Sequence, residues 1–211
     1  MTAARKSYQA PFLERPWNGM FEAAPKAAID CWHAVPGNEY RPEAYGQVCR
    51  VPFGICVHMA CRERSPKAEQ LLPNSMVCTD SCLEFFLNPQ PGRSKFINFE
   101  MNAAGTLLLG VNEGGAFRCL DPALQAGCGL RTRVDEASGV WEAFFCVPDS
   151  LMEAVFPGFI PAAAFHMQGN FYKCGDWTEQ PHYGSWNPVT REPVDFHCPE
   201  CFGDIMITKE K

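Results

Sequence analysis

The chain has 211 residues, 46% hydrophobic and 20% charged, with 18 basic against 24 acidic side chains and a formal net charge of −6. That length is sufficient for one β-rich domain with a full core. No Lys/Arg cluster marks a nucleic-acid or polyphosphate surface, and no apolar run reaches a membrane span, because Pro157 and Pro161 interrupt the longest candidate.

Eighteen prolines and seventeen glycines, scattered along the chain, predict many turns between short strands. Residues 1–27, broken by Pro11, Pro16 and Pro25, read as irregular. A first strand is predicted over residues 28–33, where Ile29, Cys31 and His33 alternate with Asp30 and Trp32. Residues 45–51 and 55–63 flank the turn Pro52-Phe53-Gly54, with Ile55, Val57, Met59 and Cys61 on one face, the pattern of a hairpin. Residues 64–79 are polar and read as a loop. Two strands follow, over 80–87 and 95–102, then a short one over 106–111 and a longer loop over 112–127. Residues 130–134 and 139–147 form a further hairpin. Ser150 and Glu153 have capping-box spacing and predict a short helix. Alternation returns over 164–174, and residues 205–208 close the sheet. The fold class is all-β: a single domain forming an antiparallel β-sandwich of about ten strands, immunoglobulin- or jelly-roll-like, with one short helix.

Period-two alternation also sorts the side chains by face. Leu83, Phe85 and Leu87 oppose Asp80, Cys82, Glu84 and Phe86, while Ile97, Phe99 and Met101 oppose Phe96, Asn98, Glu100 and Asn102. Later, Phe165, Met167 and Phe171 oppose His166, Gln168, Asn170 and Tyr172. Three strands thereby offer carboxylates and amides on one polar face. Such groups suit sugar hydroxyls, each of which both donates and accepts, and aromatic rings suit the C–H face of a pyranose. Residues 169–203, rich in proline, glycine and aromatics, supply the loop expected to carry those rings.

The stretches GNFYKCGD, PHYGSWNP and DFHCPECFG, with DSCLEFFLNP (80–89) and FINFEMNAAGTLL (96–108), resemble the signature of carbohydrate-binding module family 9-like domains, relatives of the DOMON β-sandwiches. The resemblance spans roughly the whole chain. It implies non-catalytic binding of a mono- or oligosaccharide, with two tryptophans sandwiching a terminal sugar and a Glu, a Gln and an Asn hydrogen-bonded to it. Carried onto this sequence, the glutamate falls on Glu84, the glutamine on Gln168 with Asn170 beside it, and the stacking positions on Cys78 and Phe196. Cys78 cannot stack, so Trp177, Tyr183 or Trp186 is expected to supply the second platform, unless Trp186 belongs to the core. The polar face then contributes Glu84, Asn98, Glu100, Asn102, His166, Gln168, Asn170 and Tyr172. The signature loops contribute Lys173, His182, Trp186 and Phe196.

Other chemistries compete. Glu84 and Glu100 on adjacent strands are a candidate acid pair for a glycosidase. Cys198-x-x-Cys201 has zinc-ligand spacing but lacks a second such pair, Cys78-x-x-x-Cys82 being looser, and a structural role is expected. The resemblance allows a structural Ca2+ without pointing to its ligands. DOMON sandwiches that hold haem place it between a Met and a His. His166 and Met167 are adjacent and face opposite ways, which leaves His58 with Met101 or Met167 as that candidate. No Gly-rich phosphate loop is present, and Ser185 lacks a nucleophile elbow. The start Met-Thr-Ala-Ala-Arg has no apolar core of signal-peptide length, so twelve reduced cysteines in the cytoplasm are expected, or secretion if a leader has been trimmed. Oligomeric state is not legible.

Overall fold

Strands whose apolar residues recur every second position must bury one face, and two such sheets meeting face to face satisfy both. In the computed structural model, residues 4–17 and 19–209 are described. The strands are Ser7–Pro11 (β1), Ala27–Ala28 (β2), Cys31–Trp32 (β3), Ala44–Val51 (β4), Gly54–Arg62 (β5), Cys82–Asn88 (β6) and Phe96–Asn102 (β7). They continue with Leu107–Glu113 (β8), Ala116–Cys119 (β9), Arg131–Asp135 (β10), Val140–Pro148 (β11), Phe165–Cys174 (β12), Tyr183–Ser185 (β13) and Gly203–Thr208 (β14), and one α-helix spans Asp149–Val155 (α1). One sheet runs β1-β14-β12-β6-β7-β8-β9, with β13 joining β12 to β3, and the other runs β10-β11-β5-β4-β2.

Between the sheets lies the main core. Ile55, Val57, Met59 and Cys61 of β5 meet Leu83, Phe85 and Leu87 of β6 and Ile97, Phe99 and Met101 of β7, as the alternation predicts. Gly46 of β4 lies under the Phe171 ring of β12, where a Cβ would collide with the ring, so glycine permits the close approach of the sheets there. The larger sheet is covered on its outer face too. The segment after β12 folds back over it and forms a second apolar cluster with Phe86, Phe96, Tyr172, Phe196 and Phe202. This is why every position of β6 and β7 is buried, polar ones included.

The structure departs from the sequence reading in five places. Residues 7–11 are not irregular: Tyr8 and Ala10 point into the core, and β1 pairs parallel with β14, so the sandwich is not wholly antiparallel. Pro11 is tolerated because it ends an edge strand. Residues 28–33 are not one strand, since β2 pairs with β4 in one sheet and β3 with β13 in the other. The loop expected over 112–127 contains the end of β8, the edge strand β9 and a 3-10 turn at Pro122–Cys128. Helix α1 starts at Asp149 after Pro148 with no side-chain cap, so Ser150 is inside the first turn rather than capping it. The strands number fourteen among the described residues rather than about ten, the excess being β1, β9, β13 and the division of residues 28–33 into β2 and β3.

Candidate functional site

Glu84 and Glu100 are direct cross-strand partners on β6 and β7, with side chains on the outer face of the larger sheet. They form the floor of a cavity of about 210 Å³. Its walls come from three further segments: Cys78 before β6, Cys174 and Asp176 at the end of β12, and Tyr183 with residues 194–197 of the covering segment. Phe196 lies flat against Tyr172, ring centroids 4.2 Å apart at 13°, and the Tyr172 hydroxyl donates to the Phe196 carbonyl at 3.2 Å. The cover is anchored elsewhere by amides. Asn170 Nδ2 donates to the Asn187 carbonyl at 2.9 Å, the Asn187 amide donates back to Asn170 Oδ1 at 2.8 Å, and Asn187 Nδ2 donates to the Cys201 carbonyl at 2.8 Å. Outside, Arg191 bridges Asp195 and Glu200.

Burial and mutual repulsion govern the floor. Glu84 is 3% exposed and Glu100 5%. Burial first, then the neighbouring Glu100 charge, pushes the Glu84 carboxyl well above its ordinary range. Burial likewise pushes Glu100 up to about 7, against the opposing pull of the Asn98 amide. Cys174 Sγ donates to Glu84 Oε1 at 2.9 Å, and Asn98 Nδ2 donates to Glu100 Oε1 at 3.1 Å. Asp176 is raised by burial, partly offset by the Tyr183 hydroxyl. Burial would also raise Asp195, but the His197 backbone amide and the Arg191 guanidinium outweigh it and hold that carboxyl below its usual range. The floor carboxyls therefore hold their protons to higher pH than ordinary carboxyls, while Asp195 on the rim stays ionised to lower pH.

A second, wider cavity of about 700 Å³ opens beside Tyr40, Glu63, Lys67, Ser81 and Trp177. Trp177 is 69% exposed at its edge. The two cavities share the turn after β12, Asp176 facing one and Trp177 the other.

The family model of Carbohydrate-binding family 9 matches residues 16–207. The chain belongs to carbohydrate-binding family 9. Among solved structures, a putative carbohydrate-binding protein from Bacteroides uniformis is 26% identical, with a TM-score of 0.80 over 98% of this chain and 100% of that one. A family 9 carbohydrate binding module from Caldicellulosiruptor kristjanssonii in complex with cellotriose is 12% identical, TM-score 0.67, over 98% of this chain and 95% of that one. The module from the same organism in complex with glucose is 10% identical, TM-score 0.66, over 98% and 97%. At such identities the two modules show a shared sandwich fold. No curated protein matches the sequence.

Within this family 9 domain, the site residues expected from sequence separate into groups. Glu84, Glu100 and Phe196 meet in the smaller cavity, as does Cys78, the position of the missing tryptophan. Asn98, Asn102, Asn170 and Tyr172 share the sheet face but are buried, Asn170 and Tyr172 bonded to the cover and Asn102 to the loop that precedes β6. Asn102, for example, donates to Asp80 Oδ2 at 2.9 Å and to the Gln70 carbonyl at 2.8 Å. His166 and Gln168 lie at the far end of β12, both bonded to Asp204 Oδ1. Trp186 is core, packed edge-on to Tyr8 and Phe171, so Tyr183 is the aromatic that lines the cavity beside Phe196.

Lys173 points to the opposite sheet face, where its ammonium meets Glu63 at 3.2 Å and His182 Nε2 at 2.7 Å, so neither Lys173 nor His182 reaches the cavity. Asp176, Asp195 and His197 escaped the sequence reading. A signal existed only for the last two, which flank the stacking position Phe196.

The rival metal and haem pairings fare differently from the cavity. His58 stacks on Phe144, centroids 4.3 Å apart, on the outer face of the smaller sheet, whereas Met101 and Met167 lie in the core, so these residues do not converge. Cys198 and Cys201 are buried in the second apolar cluster. Among the described residues, the one group with metal-ligand geometry is Cys82, Glu84 and Cys174, whose ligand atoms lie within 4.8 Å of one another. Its two thiols are soft donors, so it does not fit Ca2+, which takes oxygen ligands.

Proposed function

We propose that the chain binds one terminal sugar unit of a saccharide, without catalysis, in the cavity over Glu84 and Glu100. The observation that carries this reading is convergence. Glu84, Cys78 and Phe196, the positions the family signature gives to the glutamate and the two stacking residues, come from three segments and line one cavity. Phe196 covers a sugar's C–H face, and the floor carboxyls, which burial makes slow to give up their protons, donate to hydroxyls when protonated and accept from them through their free oxygens. A cavity of about 210 Å³ is smaller than the roughly 300–1,000 Å³ of sites for drug-sized ligands, which favours one unit over a chain.

Position favours binding over hydrolysis. Glycosidases place two carboxyls on opposite sides of the scissile bond. Glu84 and Glu100 are register partners on one wall. Calorimetry against a mono- and oligosaccharide panel tests the proposal. A monosaccharide is expected to bind about as well as oligomers ending in it, and Phe196→Ala to weaken binding about three- to tenfold. Absence of heat for every sugar would contradict it.

A further inference from the structure

We propose that this cavity selects a cationic saccharide, an amino sugar carrying a protonated amine, over the corresponding neutral sugar. The inference rests on the saccharide-binding reading and narrows its ligand class. Four carboxyl side chains line the cavity, Glu84, Glu100, Asp176 and Asp195, and no Lys or Arg does. His197 is the one lining side chain able to carry positive charge, and its Nδ1 lies 3.2 Å from Asp195. The nearby buried ammonium of Lys173 is directed to the other face of the sheet and held by Glu63. Asp195 is also paired with Arg191, outside the lining, at 2.8 Å, so Glu84, Glu100 and Asp176 are the lining carboxyls left to meet a cation that arrives with the ligand.

The floor is built to receive it. Glu84 and Glu100 are both more than nine-tenths buried, yet each has only one oxygen hydrogen-bonded within the described protein, to Cys174 and Asn98 respectively. The second oxygen of each has no partner there. Two buried carboxyls facing each other across neighbouring strands cannot both ionise without a positive charge between or beside them. A ligand ammonium can take the place of a proton held by the floor, accepted by the free oxygens, with Phe196 and Tyr183 offering aromatic surface to the same cation. A soft metal ion held by Cys82, Cys174 and Glu84 is the competing cation. Cys82 is fully buried and does not line the cavity, and the Cys174 thiol is engaged with Glu84, so a metal there has to break that hydrogen bond and displace the thiol protons before it is held.

The test is calorimetry on the whole chain at pH 7. The probes are D-glucosamine, D-galactosamine and D-mannosamine, each beside its neutral parent and its N-acetyl derivative. At least one amino sugar is expected to bind about tenfold or more tightly than both uncharged counterparts. Glu100→Gln is expected to weaken binding of both sugars but to bring the ratio of amino-sugar to neutral-sugar affinity close to one. Glu84→Gln serves as a second variant, so a folding failure in one leaves the test intact. Neutral parents binding as well as the amino sugars would overturn the inference and leave saccharide binding standing. No heat from any sugar would remove the saccharide reading and this inference with it. Zn2+ alone binding and blocking the amino sugar would also overturn it, giving the floor to a metal.

Discussion

Lys173→Met is expected to destabilise the fold by about 3–5 kcal/mol, the usual cost of removing one partner from a buried ion pair. Lys173 is 0% exposed and lies in the polar seam between the sheets and the wider cavity. Its ammonium contacts Glu63 Oε2 at 3.2 Å, donates to His182 Nε2 at 2.7 Å and to the Cys174 carbonyl at 2.8 Å. Glu63 also accepts from Ser81 Oγ at 3.0 Å and Trp141 Nε1 at 3.1 Å. Burial alone would push Lys173 down and Glu63 up, but their mutual attraction outweighs it and moves each the other way. Burial and the adjacent Lys173 charge push His182 down to about 4, so it stays neutral and accepts from the lysine. Methionine in place of the lysine leaves a buried carboxylate with its donors but no countercharge. Chemical denaturation measures the loss; a change below about 1 kcal/mol would show that water reaches the pair from the wider cavity.

The Glu84–Glu100 floor is expected to act on stability in the opposite sense. A carboxyl raised on folding binds more protons in the folded than in the unfolded chain, so its contribution falls as pH rises from the ordinary carboxylate value towards the folded one. For Glu100 that window runs from 4.5 to about 7. The Glu63 carboxylate, lowered on folding, contributes fully above its unfolded value and loses that contribution only on acidification below it, outside this window. His182 and His58, each lowered from 6.5 to about 4 on folding, act in the opposite sense and add stability as pH rises over the same range. The test is therefore the difference between variants: Glu100→Gln is expected to make the melting temperature rise more steeply with pH between about 4.5 and 7 than it does in the parent. At pH 8 the variant is expected to exceed the parent by on the order of 1–3 kcal/mol. Thermal melts across the range measure both. An unchanged slope in Glu100→Gln would mean the floor carboxyls are better solvated than their burial indicates.

The main sandwich was legible because its residues obey one rule. Ile55, Val57, Met59 and Cys61, like Leu83, Phe85 and Leu87, alternate without interruption, and alternation fixes which side of a strand faces the core. The same rule brought Glu84 and Glu100 to one face, and the family resemblance added Phe196. It gave no warning that the face would be covered, because a period of two distinguishes the two sides of a sheet but not a solvated side from a second packed layer. Asn170 and Tyr172 therefore read as ligand groups when they are the anchors of the cover. Asp176, Asp195 and His197 reach the cavity through the path of an irregular segment, which depends on tertiary contacts such as Asn187 with Cys201 rather than on any local pattern. Lys173 was misplaced for a different reason: it was carried over with the signature loop, whereas parity along β12 puts it on the same side as Phe171, where Glu63 compensates it.

The most direct measurement is a crystal structure of the protein soaked with a monosaccharide that gives calorimetric heat. The expected result is a single ring against Phe196 with hydroxyl or amine groups on the free oxygens of Glu84 and Glu100. A sugar found instead against Trp177 in the wider cavity, with the space over the two glutamates holding none, would contradict the assignment.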